Sequence, residues 1–103
     1  MDPSNMDFVF PIPGKYTVYT KSGCTFCRKA EQLLDEKKLE YEQINCDEYL
    51  LGNREQFLLF VKFLANKEFK TFPMIFDATG TFVGGFTDLK TSIDQKLDFA
   101  EDF

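Results

Sequence analysis

The stretch from Tyr16 to Cys46 limits the fold more than any other part of the chain. Tyr16 to Tyr19 (Tyr-Thr-Val-Tyr) is a short β-branched and aromatic run, which favours a strand. Lys21-Ser22-Gly23 reads as a turn. From Thr25 to about Lys38 the apolar spacing becomes helical, with Ala30, Leu33 and Leu34 on one side and lysines and glutamates between them. Tyr41 to Cys46 is strand-like again. Two strands joined through a helix predict a right-handed parallel crossover, the hand in which a twisted strand and its helix pack back onto one sheet. The 103 residues fit one domain built on this unit.

A second helix is expected over Asn53 to Asn66, with Phe57, Phe60, Val61 and Leu64 at helical spacing. Leu58, Leu59 and Phe63 make it apolar on more than one face. Burial on two sides and an exposed dimer patch are both open readings. Phe72-Pro73-Met74-Ile75-Phe76 is a strand entered through a proline, Asp77 to Gly80 a hairpin turn, and Thr81 to Gly85 the returning strand. Thr87-Asp88 offers helix-capping chemistry, and Leu89, Ile93 and Leu97 carry the last helix. The expected order is β-α-β-α-β-β-α. Residues 1–14, with three prolines, read as an irregular lead-in to a domain over 15–103. Within it, Phe8, Val9 and Phe10 are expected as a small apolar cluster on the domain surface.

Composition removes several function classes. The chain has no histidine, so Ser–His–Asp and Cys–His catalysis and imidazole metal ligation are out of reach. A net charge of −5 argues against a general nucleic-acid binder. No segment approaches the roughly 20 apolar residues that span a bilayer. Met1 to Gly14 does not read as a signal peptide: it carries Asp2 and Asp7, and prolines interrupt any apolar run. Three cysteines are too few for a secreted disulfide scaffold and odd in number, so a reducing, cytoplasmic setting is expected.

Cys24-Thr25-Phe26-Cys27 follows a strand and opens a helix. A helix start has backbone N–H groups without partners and about half a positive charge. A thiolate placed there is stabilised, which lowers its pKa below that of a free thiol. Lys21 adds positive charge three residues upstream. The thiolate is the nucleophile of disulfide exchange, so Cys24 becomes reactive without any histidine. Cys27 lies one turn on, at a separation a disulfide can bridge. Two ordinary core cysteines are the competing reading. Structural zinc wants four Cys or His ligands, and this chain has three cysteines in all. Cys46 ends the second strand, either as a small buried residue or as a regulatory or dimer-forming thiol.

Three segments together, Lys21-Ser22-Gly23-Cys24-Thr25-Phe26-Cys27, Thr71-Phe72-Pro73 and Gly84-Gly85-Phe86-Thr87-Asp88, resemble the signature segments of the glutaredoxin family, in the family's order and on the expected elements. The resemblance covers roughly residues 15–100. It implies an α/β, thioredoxin-like fold: a four-stranded mixed sheet flanked by helices. It implies a thiol–disulfide oxidoreductase that uses glutathione as co-substrate, with Cys24 as nucleophile and Cys27 as resolving thiol. It also implies a cis peptide at Pro73 that sets Phe72 opposite Cys24, where the Phe72 backbone pairs with the cysteinyl residue of glutathione. Phe26 would be a flat apolar wall. Gly84-Gly85 would let the backbone approach the ligand. Gly85, Phe86 and Thr87 would present the backbone at the last helix start to the γ-glutamyl carboxylate. Asp88 would take the α-amine, and Lys21 the glycine carboxylate; Lys70, just before Thr71, either adds to that positive edge or is a solvated surface lysine.

The chain departs from the common family pattern at Thr25, where dithiol members most often have Pro, at Phe26 in place of Tyr, and at Phe86, where many have Cys. Asn66 to Lys70 also looks about two residues longer than usual, so no glutathione contact is carried over from the second helix. The expected partners are glutathione and disulfide-containing or glutathionylated client proteins. The expected chain is a monomer that requires no metal and binds neither nucleic acid nor membrane. Two alternatives stand beside this reading. One is a thioredoxin-type reductase fed by a flavoenzyme, against which Lys21, Thr87 and Asp88 argue. The other is a carrier of a [2Fe–2S] cluster held between two subunits, for which the missing proline at Thr25 argues.

Overall fold

A computed structural model of the protein describes residues 8–101, with side chains through Gln95. The elements are β1 (Tyr16–Thr20), α1 (Thr25–Glu36), β2 (Tyr41–Asn45), α2 (Asp47–Gly52), α3 (Arg54–Ala65), β3 (Met74–Phe76), β4 (Phe82–Gly84) and α4 (Phe86–Glu101). The sheet order is β2-β1-β3-β4. β1 and β2 are parallel, joined by the α1 crossover, with Tyr16 opposite Tyr41 and Thr20 opposite Asn45. β3 runs antiparallel to β1 and to β4. This is the expected four-stranded mixed sheet.

Strand alternation divides the core into two layers. Tyr16 and Val18 of β1 and Ile75 of β3 pack with Ala30 and Leu34 of α1 and Leu89 and Ile93 of α4. Tyr19, Met74 and Phe76 point the other way, to Phe57 and Val61 of α3, with Ile44 and Cys46. β1, buried along its whole length, is the central strand that fixes where α1 begins. The Leu97 side chain, expected beside Leu89 and Ile93, lies outside the described residues.

Three expectations need correction. Residues 47–52 form a further short helix, α2, whose Tyr49 and Leu50 lie half-buried against the core; its six residues are too few to show a helical period. The second correction concerns Phe8, which is not on the surface. It packs in the core against Tyr49, Phe57 and Phe60. The chain beside it is fastened by two phenols: the Val9 N–H donates to the Tyr49 hydroxyl at 3.3 Å, and the Tyr19 hydroxyl donates to the Val9 carbonyl at 2.5 Å. Val9 and Phe10 are exposed, as expected. Residues 1–7 of the lead-in lie outside the described residues. The third correction is to two-sided burial of the second helix. Leu59 and Phe63 on α3 are 65% and 79% exposed.

Candidate active site

Residues 21–23 carry the chain from the end of β1 to α1. Gly23 adopts φ 73°, the left-handed region that glycine enters at no steric cost. Cys24 then takes an extended conformation and caps the helix, its Sγ accepting the Cys27 N–H at 3.2 Å. The first turn of α1 contains no acidic residue, so no carboxylate there offsets the positive end of the helix. A cysteine sulfur therefore stands where Ser or Asp commonly caps, and a thiolate at this position gains a donor and a favourable field. Cys24 and Cys27 are joined as a disulfide with Cα atoms 5.3 Å apart. Cys24 is half-buried and Cys27 buried, so the outer sulfur is the one a substrate can reach.

The three segments singled out in the sequence meet here. The Phe72–Pro73 peptide is cis, and the Phe72 carbonyl oxygen lies 3.7 Å from Cys24 Sγ. Lys21 Nζ sits 5.7 Å from the centre of the Phe72 ring. Phe26, 54% exposed, faces Phe86 with ring centres 6.1 Å apart, and Lys29 Nζ lies 5.2 Å from the Phe26 ring. Pro73 is buried beside Gly85. Thr87 and Asp88 are exposed on the first turn of α4.

Two assignments shift in detail. Helix α4 begins at Phe86, one residue before the expected cap, and Asp88 reaches back to accept the Gly85 N–H at 3.1 Å, half of a capping box. Gly84 is required by this internal contact: at φ 125° a Cβ would stand 2.2 Å from the Asp88 carboxylate oxygen. The chain's own Asp88 therefore already crowds Gly84 from one side. Lys70 borders a different cavity, of about 310 Å³ along α3, together with Leu58, Leu59 and Phe69.

A smaller cavity of about 170 Å³ is bordered by Lys21, Cys24, Cys27, Arg28, Glu31 and Gln43. Glu31 accepts from the Gln43 amide at 2.6 Å. Asp47 at the start of α2 is a site residue that sequence reasoning missed. It accepts the Ser22 N–H at 2.9 Å through one oxygen and the Ser22 hydroxyl through the other. Those bonds, with Lys21 nearby, hold its carboxyl below the usual range. The signal was available in part: strands β1 and β2 are parallel, so residues just beyond their carboxyl ends come together. Cys46 is buried and bonded within its own segment, its Sγ 3.5 Å from the Ile44 carbonyl. Burial pushes its thiol up to about 12, which makes it inert beside Cys24. Among the described residues no cluster of three or more His, Cys, Asp or Glu is arranged to hold a metal ion, and no helix is long and apolar enough to cross a membrane.

Against known families, the Glutaredoxin family model matches residues 16–83, which contain the cysteine pair, the cis-proline and strands β1 to β3 with most of β4. The chain belongs to the glutaredoxin family. Among glutaredoxin relatives, Glutaredoxin 1 of Rickettsia bellii is 36% identical over 72 residues, covering 70% of this chain and 69% of that protein. Glutaredoxin 1 of Rickettsia conorii is 41% identical over 59 residues, covering 57% of this chain and 53% of that one. The crystal structure of Glutaredoxin 1 from Francisella tularensis, complexed with cacodylate, superposes with a TM-score of 0.67 at 28% identity, covering 82% of this chain and 96% of that one. The fold is therefore thioredoxin-like, and the chain is a thiol–disulfide oxidoreductase of the dithiol glutaredoxin type.

Proposed function

We propose that the chain reduces glutathione mixed disulfides and protein disulfides with glutathione as reductant. The observation that carries this reading is the position of Cys24: it caps α1 and stands 3.7 Å from the Phe72 carbonyl, with Lys21 beside Phe72. An extended thiol peptide entering along Phe72 would pair with its N–H and C=O as a short ladder. Lys21 on one side matches one carboxylate of glutathione. On the other side, the N–H groups of Phe86 and Thr87 belong to a first helical turn that intrahelical bonds do not use, and suit the second carboxylate. Asp88, committed to Gly85 through one oxygen, has the other as acceptor for the amine. Phe26 and Phe86 line the approach as an apolar wall.

In the first step the Cys24 thiolate attacks the glutathione sulfur of a glutathionylated protein. The Cys24–glutathione disulfide forms, the original bond breaks, and the protein thiolate leaves and takes up a proton. A second glutathione, as thiolate, then attacks that mixed disulfide, releasing glutathione disulfide and restoring Cys24. With a protein disulfide, Cys24 attacks one protein sulfur and releases the other as a thiolate; Cys27 then attacks the Cys24 sulfur, expelling the second protein thiolate and closing the Cys24–Cys27 disulfide, which two glutathiones reduce to the dithiol as they become glutathione disulfide. A monomer working in a reducing, cytoplasmic compartment fits the inert third thiol and the odd cysteine count.

The test is reduction of a small glutathione mixed disulfide, coupled to glutathione reductase in one assay and to thioredoxin reductase in another. Turnover that depends on glutathione supports the reading. Turnover only with the flavoenzyme, in the absence of glutathione, overturns it.

A further inference from the structure

The turn that delivers Cys24 to its helix has little to hold it. Lys21, Ser22 and Gly23 are all exposed, so burial restrains none of them, and Gly23 is free of side-chain constraint. What ties the turn down comes from another element. The Ser22 N–H and hydroxyl each meet one oxygen of Asp47. Asp47 is itself well anchored: its N–H is capped by the Asn45 side chain at 2.9 Å, and the N–H of the preceding Cys46 donates to the Thr20 carbonyl at 2.8 Å. A two-point grip from an anchored carboxylate on an exposed turn is what a positioning group provides.

We propose that Asp47 is a positioning residue for Cys24, acting through Ser22 to hold the turn so that the Cys24 sulfur stays on the Cys27 N–H at the start of α1. Without the grip the turn moves, the sulfur spends less time on its donor, and the thiolate is less favoured. The proposal rests on Cys24 being the attacking thiol. Its readout is the ionisation of that thiol, which requires neither glutathione nor a client, so the two ideas fail separately.

The sign of the effect separates positioning from charge. The fixed charges around Cys24 are Lys21, Arg28 and Glu31, which border the same cavity as the cysteines, together with Lys29 beside Phe26 and Asp47 itself. As a bare negative charge, Asp47 opposes formation of a thiolate, and deleting it would lower the Cys24 midpoint. As a grip, deleting it raises the midpoint.

The experiment measures the rate of Cys24 alkylation by iodoacetamide against pH, in the reduced full chain carrying Cys27→Ser. Asp47→Ala should raise the midpoint by about one pH unit, a loss of up to about tenfold in thiolate below it. Ser22→Ala, which keeps the backbone bond, should raise it less, and the double variant Ser22→Ala/Asp47→Ala should be no worse than Asp47→Ala alone. Asp47→Asn keeps an acceptor for the Ser22 N–H and an amide for its hydroxyl, so its midpoint should match the parent or fall below it. A midpoint that is unchanged or lowered in Asp47→Ala overturns the proposal. So does Asp47→Asn raising the midpoint as much as Asp47→Ala. If Asp47→Ala does not fold, Ser22→Ala against Asp47→Asn decides: the first must raise the midpoint and the second must not.

Discussion

Replacing Gly84 by alanine should damage both the fold and the α4 end of the site, and the structure sets the size of the effect. Gly84 has φ 125°, a region nearly closed to residues with a Cβ, which costs about 1–3 kcal/mol in strain. The new Cβ would also stand 2.2 Å from Asp88 Oδ2, closer than real contacts allow. Asp88 is exposed and can swing away, but it then surrenders the Gly85 N–H, a bond at an exposed helix start worth about 0.5–1.5 kcal/mol net. The sum, about 1.5–4.5 kcal/mol, is a large share of the roughly 5–15 kcal/mol that hold a domain together. Urea unfolding of Gly84→Ala, Asp88→Ala and the double variant measures it. The two single effects should exceed the double by about the worth of the Gly85 bond, because both variants lose the same contact. A loss below about 0.5 kcal/mol for Gly84→Ala, or fully additive effects, would refute the argument.

Cys24→Ser should abolish activity on every substrate, whereas Cys27→Ser should keep deglutathionylation and lose efficient reduction of protein disulfides; steady-state assays on a glutathionylated peptide and on a protein disulfide check both. Asp88→Ala should both raise the Michaelis constant for glutathione, by up to about 10- to 150-fold for a lost charged bond, and lower the melting temperature through the lost cap. Cys46 gives a pH dependence of stability. Burial, followed by the Asp47 charge, raises its pKa from 9.0 to about 12, so the unfolded chain loses the proton first. The stabilisation it contributes is full below about 9 and is lost as pH rises towards 12. Urea midpoints of the disulfide form should fall over that range less steeply in Cys46→Ala than in the parent; equal slopes would count against it. Tyr19, whose pKa burial also raises, adds in the same direction in both proteins.

The strand and helix order could be read because each element obeys a short-range rule. Tyr16–Thr20 is β-branched and aromatic, α1 shows the helical period, and the 77–80 turn ends in a left-handed glycine. What the sequence hides depends on contacts between distant segments. Helix α2 has only six residues, too few to show a period. Phe8 stands in a proline-rich stretch that reads as exterior, and only Tyr19, Tyr49 and the α3 aromatics make it core. The cysteine pair was legible from local context, because a thiolate at a helix start is stabilised by the free N–H groups there. The partners of Ser22 were not, since Asp47 meets it only once β1 and β2 align. Gly84 reads as a residue that permits close approach, and its contact with Asp88 of the same chain shows only in the fold.

The central claim is that Cys24 is the nucleophile that forms a mixed disulfide with glutathione. The most direct measurement treats reduced Cys27→Ser with glutathione disulfide near neutral pH and locates the adduct by peptide mass mapping. The account predicts one glutathione per chain, on Cys24, with Cys46 unmodified until the chain is unfolded. An adduct on Cys46 in the folded protein, or none on Cys24, would contradict it.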